Sequence, residues 1–215
     1  MSPRPRTVPD EAILQATAHI IGELGPARFT LADVAGEVGL SPATLVQRFG
    51  SKRGLLLALA GSSVAYVDAC FAALRASHAS PLDALHAAAT EMASHVESPE
   101  SLANHLAFLQ IDLSDPEFHR LALENSELVT AGYRTLIEDA VAAGELAPCD
   151  AARLARAVGA MAGGSLIAWA IARDGKVIDY VRHDIETLLA PYRANDGRPA
   201  STPGVARPAA RKTTR

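Results

Sequence analysis

Aromatic residues make up only 5% of the 215-residue chain, and cysteines number two, Cys70 and Cys149. Neither cysteine sits at a metal-binding or redox spacing, so both read as isolated thiols suited to a reducing cytosol. Strand-like alternation of apolar and polar residues is missing, which argues against a sheet-built core. There is no glycine-rich phosphate loop and no nucleophile elbow. His86, His95, His105 and His119 are scattered, without the i, i+4 pairing beside an acid that a zinc hydrolase helix needs. No catalytic residue, metal ligand or cofactor is therefore expected. The first ten residues hold no apolar run, so no leader pattern opens the chain. The uncharged stretch Ala157 to Ala172 is sixteen residues long, short of the ~20 a membrane span requires. A buried helix is expected there, and no membrane partner.

What is present is aliphatic and helix-forming. Apolar residues reach 49%, enough for a sizeable core, and the net charge is −4. That charge is unevenly spread: residues 1–54 carry +1, residues 55–193 carry −9 and residues 194–215 carry +4. Cap-plus-proline starts at Ser80-Pro81, Ser98-Pro99 and Ser114-Asp115-Pro116 punctuate a run of helices. Expected spans are Pro9 to Leu24, Ser51 to Ala76, Pro81 to Val96, Pro99 to Leu113, Asp115 to Ala143, Asp150 to Arg173 and Val177 to Tyr192. The fold class is all-α.

The most informative stretch is Thr30 to Lys52. Thr30 is a good N-cap with Asp33 three residues on, and Leu31, Val34, Ala35 and Val38 recur at helical spacing. Gly39 suits a left-handed helix end, Ser41 caps a second helix and Pro42 occupies its first turn. This second helix, Pro42 to Phe49, is expected to bury Leu45 and Phe49 and to present Ala43, Thr44, Gln47 and Arg48. Two short helices around such a turn form a helix-turn-helix, whose second helix enters a DNA major groove. Lys52 and Arg53 then open a third helix, where cations oppose the helix macrodipole. A DNA phosphate is the expected offsetting anion.

Residues 10 to 60 resemble the DNA-binding region of the tetracycline-repressor (TetR) family of bacterial regulators. The resemblance rests on Thr30-Leu-Ala-Asp-Val-Ala, Gly39-Leu-Ser-Pro-Ala-Thr-Leu and Phe49-Gly-Ser-Lys followed by Leu55-Leu56. It implies contacts to DNA from Thr30, Ser41, Thr44, Arg48 and Lys52. With the outward residues of the helix, the expected DNA-binding set is Thr30, Ser41, Pro42, Ala43, Thr44, Gln47, Arg48 and Lys52. Val46 departs from the family pattern, which usually has Tyr there, so a phosphate contact is lost.

The resemblance also implies dimerisation through the last two helices, a palindromic double-stranded operator and a small-molecule effector. Ala160, Gly164, Ala168 and Ala172 form a small-residue stripe, while Ile185, Leu188 and Leu189 give the final helix an apolar face. The expected interface comprises Ala160, Gly164, Ala168, Ile185, Leu188 and Leu189; the alternative packs the stripe inside one subunit. Met92, Phe108, Asp112, Tyr133 and Trp169 are candidate walls of an apolar cavity, each also readable as core packing. The expected layout is a head at 8–54, a ligand-binding and dimerisation body at 55–193, and a disordered basic tail at 194–215. Two readings stand for Arg4 and Arg6: a minor-groove arm or a solvated terminus. The tail cations Arg207, Arg211, Lys212 and Arg215 serve either non-specific phosphate affinity or solubility. The expected function is a cytoplasmic, homodimeric repressor released from its operator by a largely apolar ligand. The alternatives are an activator or ligand-independent regulator of the same fold, and a helical binding protein or enzyme whose head docks protein.

Overall fold

The computed structural model describes residues 8–194. The Arg4/Arg6 arm and the basic tail from residue 195 onward lie outside the described residues. Among the described residues the chain forms nine α-helices and no sheet. They are α1 (Asp10–Arg28), α2 (Leu31–Glu37), α3 (Pro42–Phe49), α4 (Lys52–Ser77), α5 (Pro81–Ser94), α6 (Pro99–Ser114), α7 (Pro116–Ala142), α8 (Ala151–Ala172) and α9 (Val177–Leu189). The all-α expectation holds, with most helix limits within two residues of those read from caps and prolines. The last helix stops earlier, at Leu189, and tightens into a 3-10 turn over Ala190–Tyr192. Pro191 supplies no N–H there, and the Tyr192 carbonyl accepts from Ala147 N instead, at 2.7 Å.

The first helix breaks at Gly25 (φ 77°, ψ 159°) before one more turn, as Gly25-Pro26 implies. Gly is required there twice over. The backbone is in a region that side chains disfavour, and a Cβ would meet Asn104 Oδ1 at 2.7 Å. Asn104 Nδ2 donates to the Gly22 and Glu23 carbonyls at 2.8 and 3.1 Å. A residue of α6 thereby caps the broken end of α1.

Two apolar clusters organise the interior. The first gathers Ile13, Ile20, Ile21, Phe29, Val34, Ala35, Leu45, Leu55 and Leu56 from α1 to α4, and is closed by Phe118 of α7. Phe118 meets Phe108 of α6 edge-on, with ring centroids 6.0 Å apart. The core of the helix-turn-helix is thus completed by body residues. The second cluster joins α5, α7, α8 and α9 through residues such as Leu85, Leu136, Ile137, Val158, Ile185 and Leu189. Helices α4 and α8 are long and apolar enough to cross a membrane by length and composition. Here α4 packs on α1, α5 and α7, and α8 packs on α7 and α9.

Candidate functional site

The helix-turn-helix is built as its caps dictate. Thr30 N donates to Asp33 Oδ2 at 2.7 Å and Asp33 N to Thr30 Oγ1 at 3.3 Å, a reciprocal capping box. These bonds from Thr30 hold the Asp33 carboxyl below its usual pKa. Gly39 (φ 67°) makes the turn, and Ser41 Oγ accepts from Thr44 N at 3.2 Å. Leu45 anchors α3 from beneath and is fully buried, while Phe49 is only half-buried. Ala43, Val46 and Gln47 are exposed on the outer face, with Thr44 half-buried beside them. Neutral donors and methyl groups therefore dominate the presented surface.

Its cations are placed differently from expectation. All four Lys and Arg residues between 8 and 54 are engaged with protein oxygens. Arg28 Nε donates to the Leu24 carbonyl at 2.8 Å. Arg48 Nη1 donates to the Val8 carbonyl at 2.6 Å and pairs with Asp10 at 3.1 Å. Lys52 Nζ donates to the Phe29 and Ala27 carbonyls at 2.6 and 3.2 Å, and sits 4.2 Å from the centroid of the Phe29 ring. Arg53 forks onto Asp115 and reaches Glu117 at 2.8 Å. The macrodipole argument for an external phosphate at Lys52 and Arg53 is corrected here, because carbonyls and carboxylates of the chain itself offset the cost.

Below the head lies a cavity of ≈ 610 Å³, inside the ~300–1,000 Å³ range of small-molecule sites. Its wall is largely aliphatic and comes from five helices and the α5–α6 junction. Ala18 and Ile21 of α1 contribute, with Leu59, Ala60 and Ser63 of α4. The opposite side comes from α6, α7 and α8, including Leu109, Leu121 and Leu166. Phe108 and Asp112 line it as expected. Burial raises the pKa of the Asp112 carboxyl.

Two expected wall residues are core instead. Trp169 is buried in the second cluster with Nε1 donating to the Gly175 carbonyl at 3.2 Å. Tyr133 is also buried, donates to the Ala88 carbonyl at 3.3 Å and meets the Phe71 ring edge-on. Burial pushes its phenol up to about 12. Met92 belongs to α5. Sequence reading missed His95, His105, Asn125 and Ser126, which are brought to the cavity by folding alone. No periodic or motif signal marked them.

The expected dimer residues divide in the same way. Ala160, Gly164, Ala168 and Ala172 are exposed along one face of α8, so the stripe does not pack inside the subunit. Met161, Ile167 and Ile171 are exposed on the same helix, Ile171 at 79%. Ile185 and Leu189 are fully buried at 0% against the second cluster, and Leu188 packs partly against it. The apolar face of α9 is therefore satisfied within the subunit, a correction to its expected role at an interface.

These features define an all-helical protein with a capped helix-turn-helix fused to a hollow helical body. Residues 13–59 match the family described as bacterial regulatory proteins, tetR family. Solved structures share the fold over nearly the whole described chain. A TetR transcription regulator from Haloarcula marismortui is 20% identical, with a TM-score of 0.66, covering 86% of this chain and 97% of its own. A TetR-family regulator from Cytophaga hutchinsonii is 18% identical, with a TM-score of 0.68, covering 87% and 96% respectively. The regulator FadR from Bacillus subtilis, in complex with stearoyl-CoA, is 15% identical with a TM-score of 0.65, covering 84% and 97%. No curated protein matches the sequence.

Proposed function

We propose that the protein is a cytoplasmic, homodimeric transcriptional repressor, released from a palindromic operator when a small, largely apolar ligand enters the cavity. The observation that carries this reading is the shared wall: α1 of the head and α4, the helix that leaves it, line the same cavity as α6, α7 and α8. A ligand there touches the elements that aim α3, and α6 is also tied to α1 through Asn104. Differential contact in two head positions is what an effector needs to shift an equilibrium. A coupling of about 1–3 kcal/mol is ordinary for such regulators.

In this reading the head spans 8–54, the body 55–193 and the basic tail 194–215. Thr30, Ser41, Pro42, Ala43, Thr44 and Gln47 meet the DNA. Arg48 joins them by leaving Asp10, while Lys52 stays with its carbonyls. The exposed α8 face, with Ala160, Gly164 and Ala168, forms the two-fold interface. The α9 residues Ile185 and Leu189 take no part.

Selection of bound duplexes from a random pool tests this function. A recovered palindrome with half-sites about one helical turn apart supports a two-fold DNA binder. Recovery of no sequence would leave the head without an operator and would count against the proposal.

A further inference from the structure

The cavity wall is chemically lopsided. Its polar side chains are Ser63, His95, His105, Asp112, Asn125 and Ser126, and neither lysine nor arginine is among its lining residues. Asp112 makes no hydrogen bond or ion pair among the described residues, although it is half-buried among apolar groups. It also lies in the last turn of α6, which ends at Ser114. The negative end of the helix macrodipole is there, so the backbone field adds to the carboxylate. The upward pKa displacement of Asp112 comes from burial, with no neighbouring cation opposing it.

His105 of α6 is a second polar group of the wall. His105 Nδ1 lies 2.8 Å from the Ser101 carbonyl, which only accepts, so Nδ1 carries the proton. An unpaired carboxylate and a helix C-terminus both disfavour an anion and favour positive charge.

We propose that the cavity recognises a lipophilic cation, with its apolar body against the aliphatic wall and its positive head at the Asp112 carboxylate. This rests on the cavity being the effector site and adds the charge of the effector. Asp112 is the one acidic group in a largely aliphatic wall, so it is the group that would orient a charged guest.

Three probes with one tail and different heads separate charge from apolarity: decyltrimethylammonium, decanoate and decan-1-ol. Each is titrated calorimetrically below its micelle concentration into the full chain, the Asp112→Asn variant and the cavity-filling Ala122→Trp variant. The cation should bind the natural chain at least ~10-fold more tightly than decanoate, as a charge-assisted contact implies. Asp112→Asn should weaken the cation by ~10-fold or more, leave decanol unchanged and narrow the disadvantage of decanoate. Ala122→Trp should weaken the binding of all three.

Decanol binding that Ala122→Trp abolishes, with cation binding unmoved by Asp112→Asn, would overturn the charge assignment and leave the apolar pocket standing. Cation binding that survives Ala122→Trp would place it elsewhere and overturn the proposal. Failure of all three probes to bind would contradict both the charge assignment and the pocket reading.

Discussion

Arg53 and Asp115 join two helix N-termini: Arg53 Nη2 lies 2.9 Å from Oδ2 and 3.0 Å from Oδ1 of Asp115. Asp115 Oδ1 simultaneously caps α7, accepting from Glu117 N at 2.9 Å. Arg53 sits in the first turn of α4, where a lone cation would oppose the macrodipole. The carboxylate offsets that cost and ties the helix leaving the head to the longest helix of the body. Glu117 at 2.8 Å and the Phe118 ring 5.4 Å away complete the seat of the guanidinium.

This clamp should show in the acid limb of stability. The hydrogen bond from Arg53 holds the Asp115 carboxyl below its ordinary pKa. Its contribution is therefore present above the unfolded carboxyl pKa and lost as pH falls through the lower folded value. Arg53→Ala should lower the melting temperature at neutral pH, with the gap to the natural chain shrinking in acid. A gap independent of pH would mean that Arg53 acts through packing on Phe118 alone.

Lys52→Ala should destabilise the head. The ammonium serves two carbonyls at the end of α1 and the face of Phe29. Loss of bonds to a charged donor costs about 1–3 kcal/mol. Denaturant unfolding measures it, and an unchanged midpoint would show that those carbonyls are satisfied by solvent.

Trp169 has no place in the cavity wall, so its removal tests stability and leaves effector response intact. Trp169→Ala should cost about 3–5 kcal/mol, as large core truncations do. Thermal unfolding and ligand-induced DNA release on the same variant separate the two roles. Altered release in a chain of undiminished stability would return Trp169 to the pocket.

Ala168→Arg tests the α8 face. Because Ala168 is exposed in the subunit, an arginine is tolerated by the monomer and clashes only with a partner helix. Sedimentation should show helical monomers with sharply weakened operator binding. A variant that remains dimeric at full affinity would move the interface off α8.

Much of the fold was legible because caps and prolines act locally. Thr30, Ser41, Ser51, Ser98, Asp115 and Asp150 all cap the helices they precede. The site was less legible because its partners are distant in sequence. Nothing beside Arg53 in the chain announces Asp115, and nothing near Lys52 announces the Phe29 carbonyl. The need for an anion at the start of α4 was readable from the dipole; its source was not. Likewise Phe108 and Asp112 line the cavity, whereas Trp169 and Tyr133, candidates on the same footing, went to the core. The direction of each ring depends on helix packing, which periodicity alone does not resolve.

Affinity for the recovered palindrome and for a scrambled duplex, measured over a salt series with the natural chain and Gln47→Ala, bears most directly on the head as a sequence reader. Gln47 is exposed on α3 and makes no hydrogen bond among the described residues, so its amide is available for a base edge. The natural chain should prefer the palindrome by ~10³-fold or more, with log affinity falling linearly against log salt. Gln47→Ala should cost about 1–3 kcal/mol on the palindrome, with little effect on the scrambled duplex. Equal affinity for both duplexes, unmoved by Gln47→Ala and flat in salt, would contradict DNA recognition by this head.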